Sequence, residues 1–159
     1  MTNPVRLWIC AAHHPAFRCC GWAYVRIVEG QASGAAGGRR YTTARAMALA
    51  GLAAALSDLP PESPVSVYTT SQDLIALAEV FSGAVAPDPT DEDWALIAPI
   101  LALARNRPLT LIAAPRAPDT PIAFAAAWAD LAMDKAKAMG PFSAAIPKPN
   151  LAKARGLTP

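Results

Sequence analysis

Apolar and polar positions along the chain fall into short blocks separated by Pro, Gly and charged residues. Arg6–Ala12 (R-L-W-I-C-A-A) is an almost unbroken apolar run of strand length, the pattern of a strand covered on both faces. H-H-P-A-F-R then reads as a loop. Cys19–Val28 (C-C-G-W-A-Y-V-R-I-V) reads as a second strand, with Trp22, Tyr24, Arg26 and Val28 on one face and a turn at Glu29-Gly30-Gln31. A weaker third strand is expected over about Ala32 to Tyr41, because Gly34, Gly37 and Gly38 weaken a strand and often mark bulges.

The pattern then changes to helical. Thr42 or Thr43 is placed to cap a helix that runs through Leu56, and A-R-A-M-A-L-A-G-L-A-A-A-L consists almost entirely of good helix formers. Pro60, Pro61 and Pro64 end it. Val65–Thr69 is a fourth strand, and Ser71 caps a helix to about Ser82 that stops near Gly83. Thr90 is an N-cap candidate, with Asp91, Glu92 and Asp93 in the first turn of a helix to about Arg105. Leu109–Ala113 is a fifth strand. Thr120 followed by Pro121 marks the start of a last helix, to about Met139, which Gly140-Pro141 ends.

The element order is β-β-β-α-β-α-α-β-α. It predicts an α/β domain over residues 1–140 with a five-stranded mixed sheet and helices on both faces. Three antiparallel strands come first, and two more enter by helical crossovers. Residues 141–159 are Pro-rich and basic (Lys148, Lys153, Arg155) with little to bury, so an extended or disordered tail is expected there.

Composition narrows the class. The 159 residues are 53% hydrophobic and 16% charged, largely through Ala-rich helices. No apolar run reaches about 18 residues, and M-T-N-P-V-R lacks a secretory signal, so a cytoplasmic protein with no membrane span is expected. Cys10, Cys19 and Cys20 form a poor disulfide framework. With His13 and His14 they match no zinc spacing, so buried reduced thiols are the better reading. Net charge is +2 but uneven: residues 1–57 carry +5, residues 58–104 carry −8 with no Lys or Arg, and residues 105–159 carry +5. Such asymmetry predicts a basic patch for an anionic partner unless folding mixes the segments.

Four motifs on these elements belong together. Gly21-Trp22 opens the second strand. Thr42-Thr43-Ala44-Arg45-Ala46-Met47-Ala48-Leu49 opens the first helix. Tyr68-Thr69-Thr70-Ser71-Gln72 ends the fourth strand, and Ala127-Trp128-Ala129-Asp130-Leu131-Ala132 lies in the last helix. In order and spacing they resemble the Gly-Trp, T-T-N-N-x-M-E-L, T-D-S-Q and C-D-x-L-A segments of the type 1 ribonuclease H family. The resemblance covers roughly residues 5–139 and implies a ribonuclease H-like fold.

That family hydrolyses phosphodiesters with two Mg²⁺ ions about 4 Å apart, held by several carboxylates. Carried over by resemblance, its acidic positions fall on Cys10 or Ala11, then Ala48, Thr70 and Ala129. None is an acid. The first two cannot be recovered by shifting register, because Glu29 is the single carboxylate in residues 1–57 and sits at a hairpin turn. Asp130 is one residue from the last position, about 100° around a helix. Asp73 is better explained as first-turn helix charge. The loop before the last helix, Ala114 to Asp119, has no His where active relatives often carry one. The resemblance therefore implies a catalytically inactive, degenerate member with no metal and no cofactor.

Binding residues are carried over in the same way. Thr42, Thr43, Ser71 and Gln72 stand where the family approaches the nucleic-acid backbone, and Arg39, Arg40 and Arg45 lie beside them. Hydroxyls, amides and helix N-termini suit phosphate. The expected partner is DNA, RNA or a hybrid. The alternative is a protein-interaction or scaffold module in a larger complex, with a protein partner or a second copy docking on an apolar face of an Ala-rich helix. No Gly-rich phosphate loop, G-x-S-x-G or H-E-x-x-H is present to suggest a different enzyme.

Overall fold

The computed structural model describes residues 4–16, 18–60, 62–154 and 156–157. Among these residues there are six strands and six helices: β1 Val5–His14, β2 Cys19–Val28, β3 Gln31–Arg40, α1 Ala44–Leu56, β4 Val65–Thr69, α2 Gln72–Ala76, α3 Ala78–Ser82, α4 Trp94–Ala104, β5 Leu109–Ala113, α5 Pro121–Met139, β6 Phe142–Ala145 and α6 Lys148–Leu151. The sheet is mixed, in the order β5-β4-β1-β2-β3-β6. β1, β2, β3 and β6 pair antiparallel in turn, while β4 and β5 join β1 in parallel.

β1 shows why its sequence is apolar throughout. Successive strand residues point to opposite faces. Val5, Leu7 and Ile9 enter the core on the face covered by α1, with Leu49, Leu52 and Leu56 of that helix. Trp8 and Cys10 enter the core on the face covered by α5. Fully burying a Leu or Ile contributes roughly 1.5–3 kcal/mol each, so the two faces together hold β1 at the centre.

α5 lies unusually close to the sheet. Ala125, Ala129, Ala132 and Ala136 recur at helical spacing and are all buried. Opposite them stand Gly21 and Gly38. A Cβ at Gly21 would meet the Ala129 carbonyl oxygen and, at 2.5 Å, the Met133 amide nitrogen. A Cβ at Gly38 would meet the Ala132 oxygen at 2.9 Å. The Gly of the Gly-Trp motif thus admits helix backbone onto strand backbone.

Local signals set the helix starts. Thr43, Ser71 and Thr120 accept hydrogen bonds from Ala46 N (3.0 Å), Leu74 N (3.2 Å) and Ala123 N (3.3 Å). Two arginines complete helix ends. Arg26 lies among core residues, donates to the Ala55 carbonyl in the last turn of α1, and pairs with both oxygens of Asp58 at 2.7 and 2.8 Å. Arg40 donates to the Ala136 and Lys137 carbonyls at 2.7–3.2 Å, at the end of α5.

Five expectations are corrected. The sheet has six strands rather than five, because the segment read as a tail is packed. β6 pairs with the outer edge of Gly-rich β3 (Gly38↔Phe142, Gly37↔Ser143). Beyond it, Ile146, Leu151 and Leu157 are buried in the α5-side core. Of that segment's basic residues, Arg155 lies outside the described residues. Second, His13 and His14 belong to β1 and pair with Cys20 and Cys19, since the hairpin partner starts at Cys19. Third, the helix expected to Ser82 is two pieces, because Leu77 leaves the helical region and its N–H bonds back to the Leu74 carbonyl at 3.0 Å.

Fourth, Thr90 does not cap α4. It donates to Asp88 through N–H (2.9 Å) and hydroxyl (2.6 Å). Asp93 occupies the cap position and the helix starts at Trp94. Fifth, Asp91 and Asp93 do not serve as first-turn charge. They hold Arg45 of α1, Asp91 with both oxygens at 2.8 Å and Asp93 at 2.6 Å. Among the described residues no helix is long and apolar enough to cross a membrane.

Two predictions follow from this packing. Gly21→Ala forces α5 off the sheet and lowers stability by about 1–3 kcal/mol, the range for overpacking, read as a lower urea midpoint by circular dichroism. The Arg45 hydrogen bond holds the Asp91 carboxyl down to about 2 from an ordinary 3.8. The folded value lies below the unfolded one, so this stabilisation is complete above about pH 4 and is lost as pH falls toward about 2. The urea midpoint of the wild type is therefore expected to drop more steeply across that window than that of Asp91→Asn. Parallel slopes would mean that the pair contributes nothing.

Candidate nucleic-acid interface and the centre beside it

β1 and β4 run in parallel, and their register ends at Ile9↔Thr69. The next residues along the chain are Cys10, still within β1, and Thr70, just past the end of β4. The Thr70 hydroxyl lies 3.5 Å from Cys10 Sγ, and the thiol in turn donates to the Ile122 carbonyl of α5 at 3.6 Å. Ala11 points the other way, packing with the α1-side core that also buries Ala48. Ala129 lies with Cys10 in the α5-side core, 1% exposed. Of the positions carried over by resemblance, the fold thus brings Cys10 and Thr70 into contact. It puts Ala48 and Ala129 behind opposite faces of the sheet, and it separates the alternatives Cys10 and Ala11.

The chemistry of this centre is neutral. Burial pushes the Cys10 thiol up, against hydrogen bonds from Thr70 that pull it down. Weaker opposing influences come from Arg116, which lowers it, and Asp130, which raises it. Those two residues form an ion pair at 3.2 Å, both substantially exposed. Asp130, the acid nearest the expected last ligand, therefore faces a guanidinium. Arg116 was not singled out from the sequence, although it sits in the loop already noted for lacking a His. A thiol and a hydroxyl do not make a Mg²⁺ site, because that ion needs charged oxygen ligands. Among the described residues, no group of three or more His, Cys, Asp or Glu is arranged to hold a metal.

The remaining cysteines are buried free thiols as well. Burial, and Cys19 beside it, push Cys20 up to about 11, and its thiol donates to the Thr42 carbonyl at 3.6 Å. Cys10 and Cys20 lie in different cores, so they do not share a ligand set.

The expected binding residues divide into two groups. Thr43 and Ser71 use their side-chain oxygens as helix caps. Arg45 is neutralised by two carboxylates, and Asp91 holds its guanidinium above its ordinary range. Arg40 is anchored on the end of α5. Arg39 and Gln72 are exposed, and Thr42 is half-buried. Beside Arg39 and Arg40 stands Tyr41, 81% exposed and not anticipated as a site residue. Its one sequence signal is an aromatic directly after two arginines.

No protein-family model matches the chain, and no curated protein does either. Solved structures do. One is the N-terminal RNase H domain of a Mycobacterium tuberculosis protein, solved as a fusion with maltose-binding protein. It is 21% identical, with a TM-score of 0.67 over 86% of this chain and 97% of that one. Another is RNase H1 from the halophilic archaeon Halobacterium salinarum, 17% identical with a TM-score of 0.60, over 84% and 99%. Likeness at these identities establishes architecture, and this chain is ribonuclease H-like in fold.

Proposed function

We propose that this chain is a ribonuclease H-like protein that binds nucleic acid and does not hydrolyse it. The observation that carries the inactive half is the contact between Cys10 and Thr70 at 3.5 Å, where the pairing of β1 with β4 ends and two metal-bridging carboxylates would be expected. A desolvated thiol and a hydroxyl supply neither charge for Mg²⁺ nor a base for water at neutral pH. Ala48 and Ala129, both 1% exposed, have no side chain to reach the centre. The fold's kinship with RNase H domains points to nucleic acid as the partner class.

The binding half rests on the end of β3 and the residues after it. Arg39 supplies an exposed cation, Arg40 a fixed one, and Thr42 and Gln72 neutral donors. Removing four carboxylates also removes repulsion toward phosphate. An interaction module is favoured by a different observation: Leu131 and Met139 of α5 are 58% and 72% exposed, and Leu131 lines an apolar groove with Trp128 and Phe142.

Titration against DNA, RNA and hybrid at two salt concentrations, with EDTA present, separates these readings. Binding is expected to weaken severalfold with added salt and severalfold again on Arg39→Ala. No binding at low salt would leave the interaction module. Magnesium-dependent cleavage by nuclease-free protein would overturn the inactive reading.

A further inference from the structure

We propose that the corner of the sheet around Tyr41 takes unpaired nucleotides in preference to duplex; this rests on the nucleic-acid reading above and specifies its ligand. β2 begins where β3 ends, with Cys19 opposite Arg40 and Cys20 opposite Arg39. Arg18, Arg39, Arg40 and Tyr41 therefore collect at one end of the sheet.

The backbone there is held in an uncommon shape. Tyr41 has φ 56° and Arg18 has φ 48°, both in the left-handed region that ordinary side chains avoid. The Tyr41 N–H donates to the Arg18 carbonyl at 2.7 Å, locking the two together. Gly or Asn would suit such a position better. The residue present is instead a tyrosine whose ring is 81% exposed, so the fold gains little burial from it. Strained residues that add little to the core are characteristic of ligand sites. An exposed ring on a backbone held by the Arg18 carbonyl, with arginines next to it in sequence and across the hairpin, offers a stacking surface with phosphate attraction around it.

Charge limits how far a ligand extends. Toward α1 the next cation is Arg45, and two carboxylates already hold it. Exposed Asp88 and Glu92 lie in the same acidic segment. Phosphates reaching that side meet net negative charge, so attraction is confined to the few nucleotides near Tyr41. A blunt duplex offers a stacking ring only its terminal base pair, whereas a single strand offers every base face.

The test uses the full chain, EDTA and low salt. Fluorescence anisotropy is read on labelled mixed-sequence single strands of RNA and DNA and on a blunt RNA–DNA hybrid of the same length. Single strands are expected to bind at least about fivefold tighter than the hybrid. Tyr41→Asn keeps a residue that tolerates left-handed φ but removes the ring, and is expected to weaken single-strand binding about tenfold with an unchanged urea midpoint. Tyr41→Phe should stay within about twofold of wild type, since the ring and not the hydroxyl is used. Equal or tighter binding of the hybrid overturns the proposal, as does a Tyr41→Phe loss matching that of Tyr41→Asn. If Tyr41→Asn changes nothing while Arg39→Ala weakens every probe, the stacking site is refuted and nucleic-acid binding stands. If no probe binds, the nucleic-acid reading fails and this inference fails with it.

Discussion

The approach of α5 to β2, backbone on backbone, is the constraint on which the rest of the molecule depends. It exists because Gly21 and Gly38 have no Cβ and because the helix brings to them the backbone of Ala129, Ala132 and Met133 and the small side chain of Ala136. Once α5 is seated, the Ile122 carbonyl at its start covers Cys10, and the Ala136 and Lys137 carbonyls at its end are within reach of Arg40. Its buried face cannot admit a longer side chain at Ala129 without a shift of the helix. Close packing and the absence of a carboxylate at that position go together. A carboxylate held there without a cation beside it would be desolvated at several kcal/mol.

Charge around this centre follows the same pattern. An active two-metal site concentrates negative charge at the strand ends and relies on cations to neutralise it. Here the strand ends are neutral, and the negative charge lies in the segment before α4, where Asp91 and Asp93 meet Arg45. That contact joins α1 to the start of α4 and gives two acids of a stretch without Lys or Arg a cation from outside it. The arginine nearest the α1 N-terminus is thereby converted from a surface cation into a tie between helices.

How much of this was legible in the sequence depends on how far apart the interacting residues lie. The caps at Ser71 and Thr120 act over three residues and were readable directly, and Thr43 was one of two candidates with Thr42. The core strands were readable because apolar runs report burial on both faces. The Arg45–Asp91 bond spans 46 residues and the Arg40–Lys137 bond spans 97, so both sets of charges looked like free surface. β6 was missed for a related reason. Its four residues are too few to show a period, and it exists because the Gly-rich edge of β3 has backbone groups to pair. Cys10 could not be told from Ala11 until the pleat assigned one to each face.

The same reasoning explains why the surface around Tyr41 stands apart from the other carried-over residues. Thr43, Ser71, Arg40 and Arg45 all have roles in the fold that would keep them in place without any ligand. Tyr41 has none of that kind, since its ring is exposed and its backbone angle is unfavourable for it. A side chain that neither packs nor caps, in a conformation that disfavours it, is better explained by what lies outside the chain than by what lies inside. Tyr41 follows the end of β3, whereas Cys10 and Thr70 meet where the pairing of β1 with β4 ends.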